Sequence, residues 1–389
     1  MKLISLIVAL LFTDCLFSQS FQKIHRDALL IDTHNDILSK AVDEGMVFDR
    51  DLSGKTHSDL ARWKKGGLDA QIFSVFCDGE KENPFAYANQ QIDTLDALIK
   101  RNPDKIVMVD NSKGMLKTIK QGKIAAMSGV EGGHMIENDL NKLDSFYKRG
   151  VRYMTLTWNN STDWASSAAD EKNKPNLEHK GLTDFGKQVV QRMNKLGMLV
   201  DISHVGEKTF WDVMATSTKP AFASHSSVYA LCQHQRNLKD EQIKAIAKQG
   251  GVVQINFYSG FLDNDYFKNR KAFKAKHAAE ADSLSKTGLT EEQRDNIIDD
   301  KYRTEVDQLR APFSLLMQHL EYVIKLVGID YVGIGSDFDG IDSPPSELDD
   351  VTTYPLITKA LLEKGFSKKD INKIMGGNFL RVLKANEIN

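Results

Sequence analysis

The sequence contains few cysteines and prolines, the residues that are abundant in disulfide-rich and collagen-like proteins. Three cysteines and eight prolines in 389 residues exclude a disulfide-rich scaffold and a collagen-like chain. The charges nearly cancel, with 51 Lys and Arg against 53 Asp and Glu, so net charge gives no reason to expect nucleic acid as a partner. Hydrophobic residues make up 41% and charged residues 27%, which is typical of a globular protein and not of a disordered or multi-span membrane protein.

A long apolar run stands at the N-terminus. Lys2 precedes an apolar stretch over 3–12, and Ser18-Gln19-Ser20 places small residues at the cleavage positions before Phe21. This pattern predicts a secretory signal peptide over 1–20, with a buried N-terminal helix as the alternative. The residues before Cys15 do not form a small-residue lipobox, which argues against a lipid anchor. We therefore expect an exported protein, periplasmic or secreted, whose mature chain has no transmembrane span.

Eight short apolar runs alternate with longer amphipathic stretches along the rest of the chain. Each run is flanked by turn or cap residues, as is typical of parallel strands buried on both faces. This alternation predicts an α/β fold, a (β/α)8 TIM barrel, as a single domain over 21–389. The eight predicted strands are Ala28–Asp32, Ala70–Phe76, Ile124–Val130, Val151–Thr157, Met198–Ile202, Pro220–Ala223, Gly251–Asn256 and Tyr331–Gly335. Predicted helices between them include Asp184–Lys195, Asp240–Lys248 and Ser314–Leu326.

One segment interrupts the alternation. Residues 263–310 are rich in charge and hold one glycine and no proline, which predicts a helical insertion before the last strand. Three roles stay open for it: a solvated helical pair without chemical importance, a partial lid, or a dimer contact.

Residues of metal-ligand type follow several of the predicted strands, at the barrel end where chemistry takes place. His34 and Asp36 follow the first strand with a spacing that turns both side chains to the same side. His204 and His225 follow two consecutive strands, and Glu131 follows the third. Because a carboxylate can bridge two ions, we expect one ion on His34, Asp36 and Glu131 and a second on Glu131, His204 and His225.

Asp337 follows the eighth strand and is the candidate acid/base. A carboxylate opposite a metal-bound water can take its proton and pass it to a leaving amine. The alternative is that Asp337 caps the helix that follows.

Seven motifs, taken in order, resemble the membrane dipeptidase family, also called renal dipeptidases, among the amidohydrolase-like metal-dependent barrels. They are IDTHND (31–36), GVEGGH (129–134), DISH (201–204), SHS (224–226), RN (236–237), INFY (255–258) and GSDFDG (335–340). The resemblance implies a zinc peptidase with two ions per chain that cleaves dipeptides. It implies that Glu131 is the bridging carboxylate and Asp337 the acid/base. Arg236 matches the arginine that binds the substrate carboxylate, and Tyr258 matches a tyrosine near the substrate.

The sequence departs from the family pattern after the fourth strand. Many members have a histidine there that contacts the substrate near the scissile carbonyl, whereas this chain has Trp158. An indole N–H can donate a hydrogen bond but cannot titrate, so oxyanion stabilisation or substrate choice is expected to differ. The mammalian relatives also carry a disulfide cysteine two residues further on, where this chain has Asn160, so Cys77 is expected to lack that partner.

Three functions remain open at this stage. The first is an exported zinc dipeptidase in which a hydroxide held between two ions attacks the peptide carbonyl. The second keeps the metal site and cleaves another amide, a β-lactam or a lactone. The third is a binding protein on a former enzyme fold, against which the full set of ligands argues. Manganese or cobalt are alternatives to zinc, and a homodimer stays open because family members are often dimers.

Overall fold

The computed structural model describes residues 21–285 and 288–388, so the predicted signal peptide lies outside the described residues. The described part of the chain forms nine parallel strands, eight of which lie side by side in the order β1-β2-β4-β5-β6-β7-β8-β9. The strands are β1 (Ile31–Asp32), β2 (Ala70–Phe76), β3 (Ile106–Met108), β4 (Ile124–Glu131), β5 (Val151–Thr155), β6 (Leu199–Asp201), β7 (Phe222–Ala223), β8 (Val252–Ile255) and β9 (Val332–Ile334).

These eight strands coincide with the eight predicted runs, and the prediction of a (β/α)8 barrel is confirmed. The sequence reasoning missed β3, a three-residue strand that pairs with the first three residues of β4, beginning with Ile106 opposite Ile124. The first and last strands meet beyond their ends, where Asp36 N donates to Phe338 O at 3.0 Å and Asp337 N donates to His34 O at 3.1 Å. The barrel is therefore nearly closed, and its closure brings Asp337 beside His34.

Helices connect the strands and surround the barrel. The helix α1 covers 21–27. Those that follow are α2 (Ile37–Asp43), α3 (Leu60–Lys65), α4 (Pro84–Arg101), α5 (Ser112–Lys120), α6 (Leu140–Lys148), α7 (Ala168–Asn173), α8 (Asp184–Leu196), α9 (Glu207–Thr216), α10 (Asp240–Lys248), α11 (Ser259–Leu262), α12 (Tyr266–Lys276), α13 (Ala278–Ser285), α14 (Glu291–Lys301), α15 (Arg303–Asp307), α16 (Phe313–Val327), α17 (Pro355–Glu363), α18 (Lys368–Asn372) and α19 (Asn378–Asn386). The predicted helices 184–195, 240–248 and 314–326 correspond to α8, α10 and α16.

The insertion over 263–310 is helical, as predicted, and consists of α12 to α15. Ion pairs join its helices to each other: Arg270 pairs with Asp299, and Lys274 Nζ lies 2.6 Å from Asp295 Oδ2. Among the described residues of the insertion, the buried apolar side chains are Tyr266, Phe273 and Ile298. The insertion is thus a charged helical layer with a small core of its own.

Two apolar layers hold the barrel together. The larger lies between the strands and the surrounding helices. The smaller fills the lower half of the barrel, where Tyr153 and Phe222 meet Phe379, Val382 and Leu383 of α19. The C-terminal helix therefore closes the bottom of the barrel, and the upper half is left to polar side chains.

Within residues 21–285 and 288–388 we find no helix of the length and apolar character that a bilayer span requires.

Candidate active site

The predicted ligand residues come together at the carboxyl ends of five strands. Glu131 is the last residue of β4, and the others follow their strands by two to four residues: His34 and Asp36 after β1, His204 after β6, His225 after β7 and Asp337 after β9. All are buried except Asp337, whose side chain is 14% exposed. A set of charged groups this deep in a protein needs partners that compensate the charge.

Glu131 lies at the centre of the cluster. Its Oε2 is 3.0 Å from His34 Nε2, while its Oε1 is 2.9 Å from His204 Nε2 and 3.3 Å from His225 Nε2. The two carboxylate oxygens therefore face two different groups of histidines. Ser74 Oγ donates to Oε2 at 3.1 Å and fixes the carboxylate from the neighbouring strand.

A second group of ligand atoms surrounds His34. Its Nε2 lies 3.4 Å from Asp36 Oδ2 and 4.0 Å from Asp337 Oδ1. These three residues, and separately His34, Glu131 and His225, have ligand atoms close enough to hold one ion. Gly340 makes room for the two carboxylates, because a Cβ at this position would collide with Asp36 Oδ2 and Asp337 Oδ1.

Hydrogen bonds behind the cluster set the orientation of the three imidazole rings. His204 Nδ1 lies 3.2 Å from Asn159 Oδ1, an acceptor, and therefore carries the proton. Ser224 donates its hydroxyl to Asp201 and so accepts from His225 Nδ1, 2.7 Å away. His34 Nδ1 lies 2.8 Å from the hydroxyl of Tyr153.

These partners leave the Nε2 lone pair of each neutral histidine directed at the cluster. His204 Nε2 and His225 Nε2 are only 3.0 Å apart, and two lone pairs at that distance repel unless a cation lies near both. Asp36 Oδ1, which is buried, has no hydrogen-bond partner among the described residues. Imidazole nitrogen and carboxylate oxygen are the donors that zinc and similar divalent ions take. The residues thus fit a metal centre.

Electrostatic effects at the cluster oppose each other. Burial lowers the pKa of His34, but Glu131 and Asp36 outweigh it and raise that pKa well above its usual value. Burial lowers the pKa of His204 to about 4, with a contribution from Arg236. Burial and the nearby carboxylates raise the pKa of Asp337 well above its usual value. The lowered pKa values of His204 and His225 keep these two rings neutral and available as metal ligands, whereas His34 would release its proton when an ion binds.

A cavity of about 560 Å³ opens above the cluster, a size suited to a small-molecule substrate. Asp36, Glu131, His204 and Asp337 form its floor, and Arg236 and Tyr258 lie on its wall. Arg236 is 5% exposed, and its Nε has no hydrogen-bond partner among the described residues. Burial lowers the pKa of this guanidinium to about 10, so it stays charged at neutral pH and can bind an anion.

Trp158 also lines the cavity. It is half-buried, with its ring centroid 4.9 Å from that of Phe76 and 6.3 Å from that of His204. The indole therefore borders the cluster of histidines and carboxylates. Asn160 instead packs against Gly79, next to Cys77 in the loop that follows β2. Cys77 is a free thiol, as the departure from the family pattern predicts, and so is Cys232.

Sequence reasoning missed several residues that support the cluster. Tyr153, in the middle of β5, reaches His34 because its ring lies across Gly129 of β4, where a Cβ would collide with the ring. Asn256 Nδ2 donates to Asp337 Oδ2 at 2.8 Å. A tyrosine hydroxyl in a strand that is buried throughout, opposite a glycine of the neighbouring strand, was the available signal for Tyr153.

A barrel with histidines and carboxylates converging at the carboxyl ends of its strands belongs to a broad class, that of metal-dependent hydrolases. Comparison with known proteins narrows the class. Residues 18–389 match the family described as membrane dipeptidase (peptidase family M19). A relative of Schizosaccharomyces pombe (strain 972), the uncharacterized dipeptidase C965.12, is 31% identical over 393 residues, which cover 96% of this chain and 84% of the relative. This protein is a member of the membrane dipeptidase family, and its reaction is peptide-bond hydrolysis.

Solved structures share the fold. One is the probable dipeptidase PvdM from Pseudomonas aeruginosa, with a TM-score of 0.78 and 25% identity over 95% of this chain and 98% of that chain. Another is a metallo peptidase from Rhodobacter sphaeroides liganded with a phosphinate mimic of the dipeptide L-Ala-D-Ala, with a TM-score of 0.75 and 22% identity over 92% of this chain and 99% of that chain. The family resemblance and the barrel expected from the sequence are thereby confirmed.

Proposed function

We propose that the protein is an exported binuclear zinc dipeptidase. The observation that carries the proposal is Glu131, a single buried carboxylate whose two oxygens face His34 on one side and His204 with His225 on the other. His34, Asp36 and Glu131 would hold one ion, and Glu131, His204 and His225 the other. Two zinc ions, when bound, supply Lewis-acid polarisation of the scissile carbonyl and a water of lowered pKa.

The charges of the cavity suit a substrate with both termini free. Among its lining residues, all of which the structure describes, Arg236 is the one cation, and it is positioned to bind a carboxylate through its guanidinium. The lining carboxylates are Asp36, Asp78, Glu131, Asp337, Asp339 and Asp342. An excess of carboxylates favours the ammonium group of a free N-terminus. A cavity of this size with one anion site holds a dipeptide more readily than a long peptide.

Asp337 carries the proton transfer in this proposal. Asn256 holds one of its oxygens, and the other faces His34 across 4.0 Å. A carboxyl at this place can take a proton at its free oxygen and deliver it to the nitrogen of the departing amine. Tyr258 and Trp158 line the cavity and limit how the substrate lies.

The test joins metal content to turnover on the mature protein. About two zinc ions per chain, with dipeptide hydrolysis lost on chelation and restored by zinc, is the expected result. The control is Glu131→Gln, which should bind less zinc and lose turnover. One ion or none after zinc loading would refute the bridging role of Glu131.

A substrate panel separates the dipeptidase from a related hydrolase. Trp158 stands where many family members have a histidine and borders the cluster, so another amide, a β-lactam or a lactone is the second candidate substrate class. The panel compares dipeptides with these compounds on the zinc-loaded protein. Faster turnover of any of them than of every dipeptide would replace the first candidate by the second.

Export rests on the N-terminal pattern alone. We propose that residues 1–20 are removed and that 21–389 form the mature hydrolase domain. Intact-mass measurement on protein recovered outside the cytoplasm should give a chain that begins at Phe21. A full-length chain found only inside the cell would contradict export.

A further inference from the structure

The helical insertion reaches the substrate cavity through an aromatic stack. Phe267, on α12, has its ring centroid 5.3 Å from that of His234, and the two rings are inclined by only 21°. His234 stacks in turn on Phe261 at 4.7 Å. The guanidinium of Arg236 lies over the far end of this series, 5.3 Å from the centre of the Phe261 ring.

Backbone contacts fix the stack to the arginine. Arg236 N donates to His234 Nδ1 at 3.3 Å, so the middle ring of the stack also holds the main chain of Arg236. Gly260 lets Phe267 approach, because a Cβ there would lie 2.7 Å from Phe267 Cζ and 2.7 Å from Tyr258 Cε1. The missing side chain at Gly260 therefore leaves room for Phe267 to stack on His234, which stacks in turn on Phe261.

Phe267 is unusual for a surface aromatic residue. It is 45% exposed, yet its other face lies against rings that line or adjoin the cavity, including Tyr258 at 6.2 Å. A side chain with so much exposed apolar surface costs little to the fold when it is removed. The position of Phe267 is explained by its stacking on the ring of His234, one face of which it covers.

We propose that the insertion is a wall of the subsite for the substrate's C-terminal carboxylate, with Phe267 and His234 as positioning residues for Arg236. Phe267 holds His234, and His234 with Phe261 fixes where the buried guanidinium lies. This inference rests on the proposed function for the identity of the substrate. It assigns the insertion to substrate binding rather than to a solvated helical pair.

The experiment compares Phe267→Ala, Phe267→Tyr and the wild-type protein, all zinc-loaded, on the best dipeptide of the panel and on its C-terminal amide. Phe267→Ala should raise KM for the dipeptide about three- to tenfold and leave kcat within about twofold, because the loss of a stacked ring affects binding. Phe267→Tyr keeps the ring and should restore KM. For the amide, which has no carboxylate, the two proteins should differ by less than about twofold.

The matched control is Ile297→Ala, an apolar residue of the same insertion that is 42% exposed. It should leave KM unchanged. Gly260→Ala, which crowds both the Phe267 and the Tyr258 rings, is the second variant and should raise KM for the dipeptide but not for its C-terminal amide. An unchanged KM in Phe267→Ala, or the same rise in Ile297→Ala, would overturn the inference.

Binding of N-acetyl-L-alanine, followed by calorimetry, separates this inference from the proposed function. The wild-type protein should bind this carboxylate more tightly than Phe267→Ala does. If no dipeptide is cleaved but this difference is found, the dipeptidase proposal fails and the carboxylate subsite stands. If dipeptides are cleaved and the difference is absent from both binding and KM, the dipeptidase proposal stands and the inference about the carboxylate subsite fails.

Discussion

At the scale of single residues, the histidines of the cluster depend on what lies behind them. Each uses Nδ1 for a hydrogen bond to a fixed neighbour, and each presents Nε2 to the same carboxylate. Such partners fix the tautomer and the ring orientation, and they strengthen the nitrogen as a ligand. His225 is held through a chain of two hydrogen bonds. Its Nδ1 donates to the hydroxyl of Ser224, and that hydroxyl donates to the buried Asp201.

Removal of one of these partners tests the metal site without removing a ligand. Tyr153→Phe deletes the hydroxyl that lies 2.8 Å from His34 Nδ1 and keeps the ring that packs on Phe222. We expect zinc affinity to fall about tenfold or more. Competition with a chromogenic chelator measures it.

Tyr322→Phe is the matched control. It also removes a hydrogen-bonded hydroxyl, but one that bonds Asp240 away from the cluster. Its zinc affinity should equal that of the wild-type protein. Equal affinities for Tyr153→Phe and Tyr322→Phe would show that the hydroxyl of Tyr153 has no part in zinc binding.

At the scale of elements, the two ends of the barrel strands have different functional roles. The carboxyl ends carry the candidate ligands, whereas residues at the opposite ends contribute to stability. Asp69 stands just before β2 at the lower end, where its Oδ2 accepts from Leu30 N at 2.9 Å. Burial raises the pKa of Asp69 to about 6, although this hydrogen bond opposes the shift.

A raised carboxyl pKa predicts how stability changes with pH. The folded protein holds the proton of Asp69 more tightly than the unfolded chain does, so the contribution of this group is complete below about pH 4 and is lost as the pH rises through about 6. Asp69→Asn cannot ionise, and its Oδ1 can still accept from Leu30 N. The free energy of unfolding of the variant, relative to that of the wild-type protein, should therefore rise by about 2 kcal/mol between pH 4.5 and pH 7.5.

Urea unfolding of both proteins at each pH measures this difference, and titration of all other groups cancels in the comparison. The gain should level off above about pH 7. A difference that does not change with pH would contradict the assigned burial of Asp69.

At the scale of the whole molecule, the candidate metal site joins distant parts of the chain. Its candidate ligands stretch from His34 to His225, with Asp337 near the C-terminus, and they come from strands all around the barrel. An ion that binds these residues only in the folded protein stabilises that state by mass action.

Chelation should therefore lower the midpoint of thermal unfolding. At a free zinc concentration about a hundred times the dissociation constant the stabilisation is about 2.7 kcal/mol for each ion, which corresponds to a shift of roughly 3 °C per ion in a chain of this length. Scanning calorimetry with and without zinc checks it. Glu131→Gln should show a smaller shift, and an unchanged midpoint in the wild-type protein would count against zinc binding at this cluster.

The sequence by itself determined the barrel and the candidate ligands. Apolar runs of strand length recur with helical stretches between them, and in such a barrel every strand ends at the same face. Residues such as His34 and Glu131, once placed at strand ends, had to converge. The same reasoning missed β3, because three residues at the edge of a sheet carry no periodicity of their own.

Only the tertiary structure decided which side chains touch. The contact of Tyr153 with His34 and the stack from Phe267 to Arg236 join residues that are far apart in sequence or that lie on different elements. Such contacts depend on strand register, on barrel closure and on glycines such as Gly129 and Gly260 that permit close approach. Local pattern specifies which element a residue belongs to, whereas packing between elements specifies its neighbours, and the chemistry of this site depends on the neighbours.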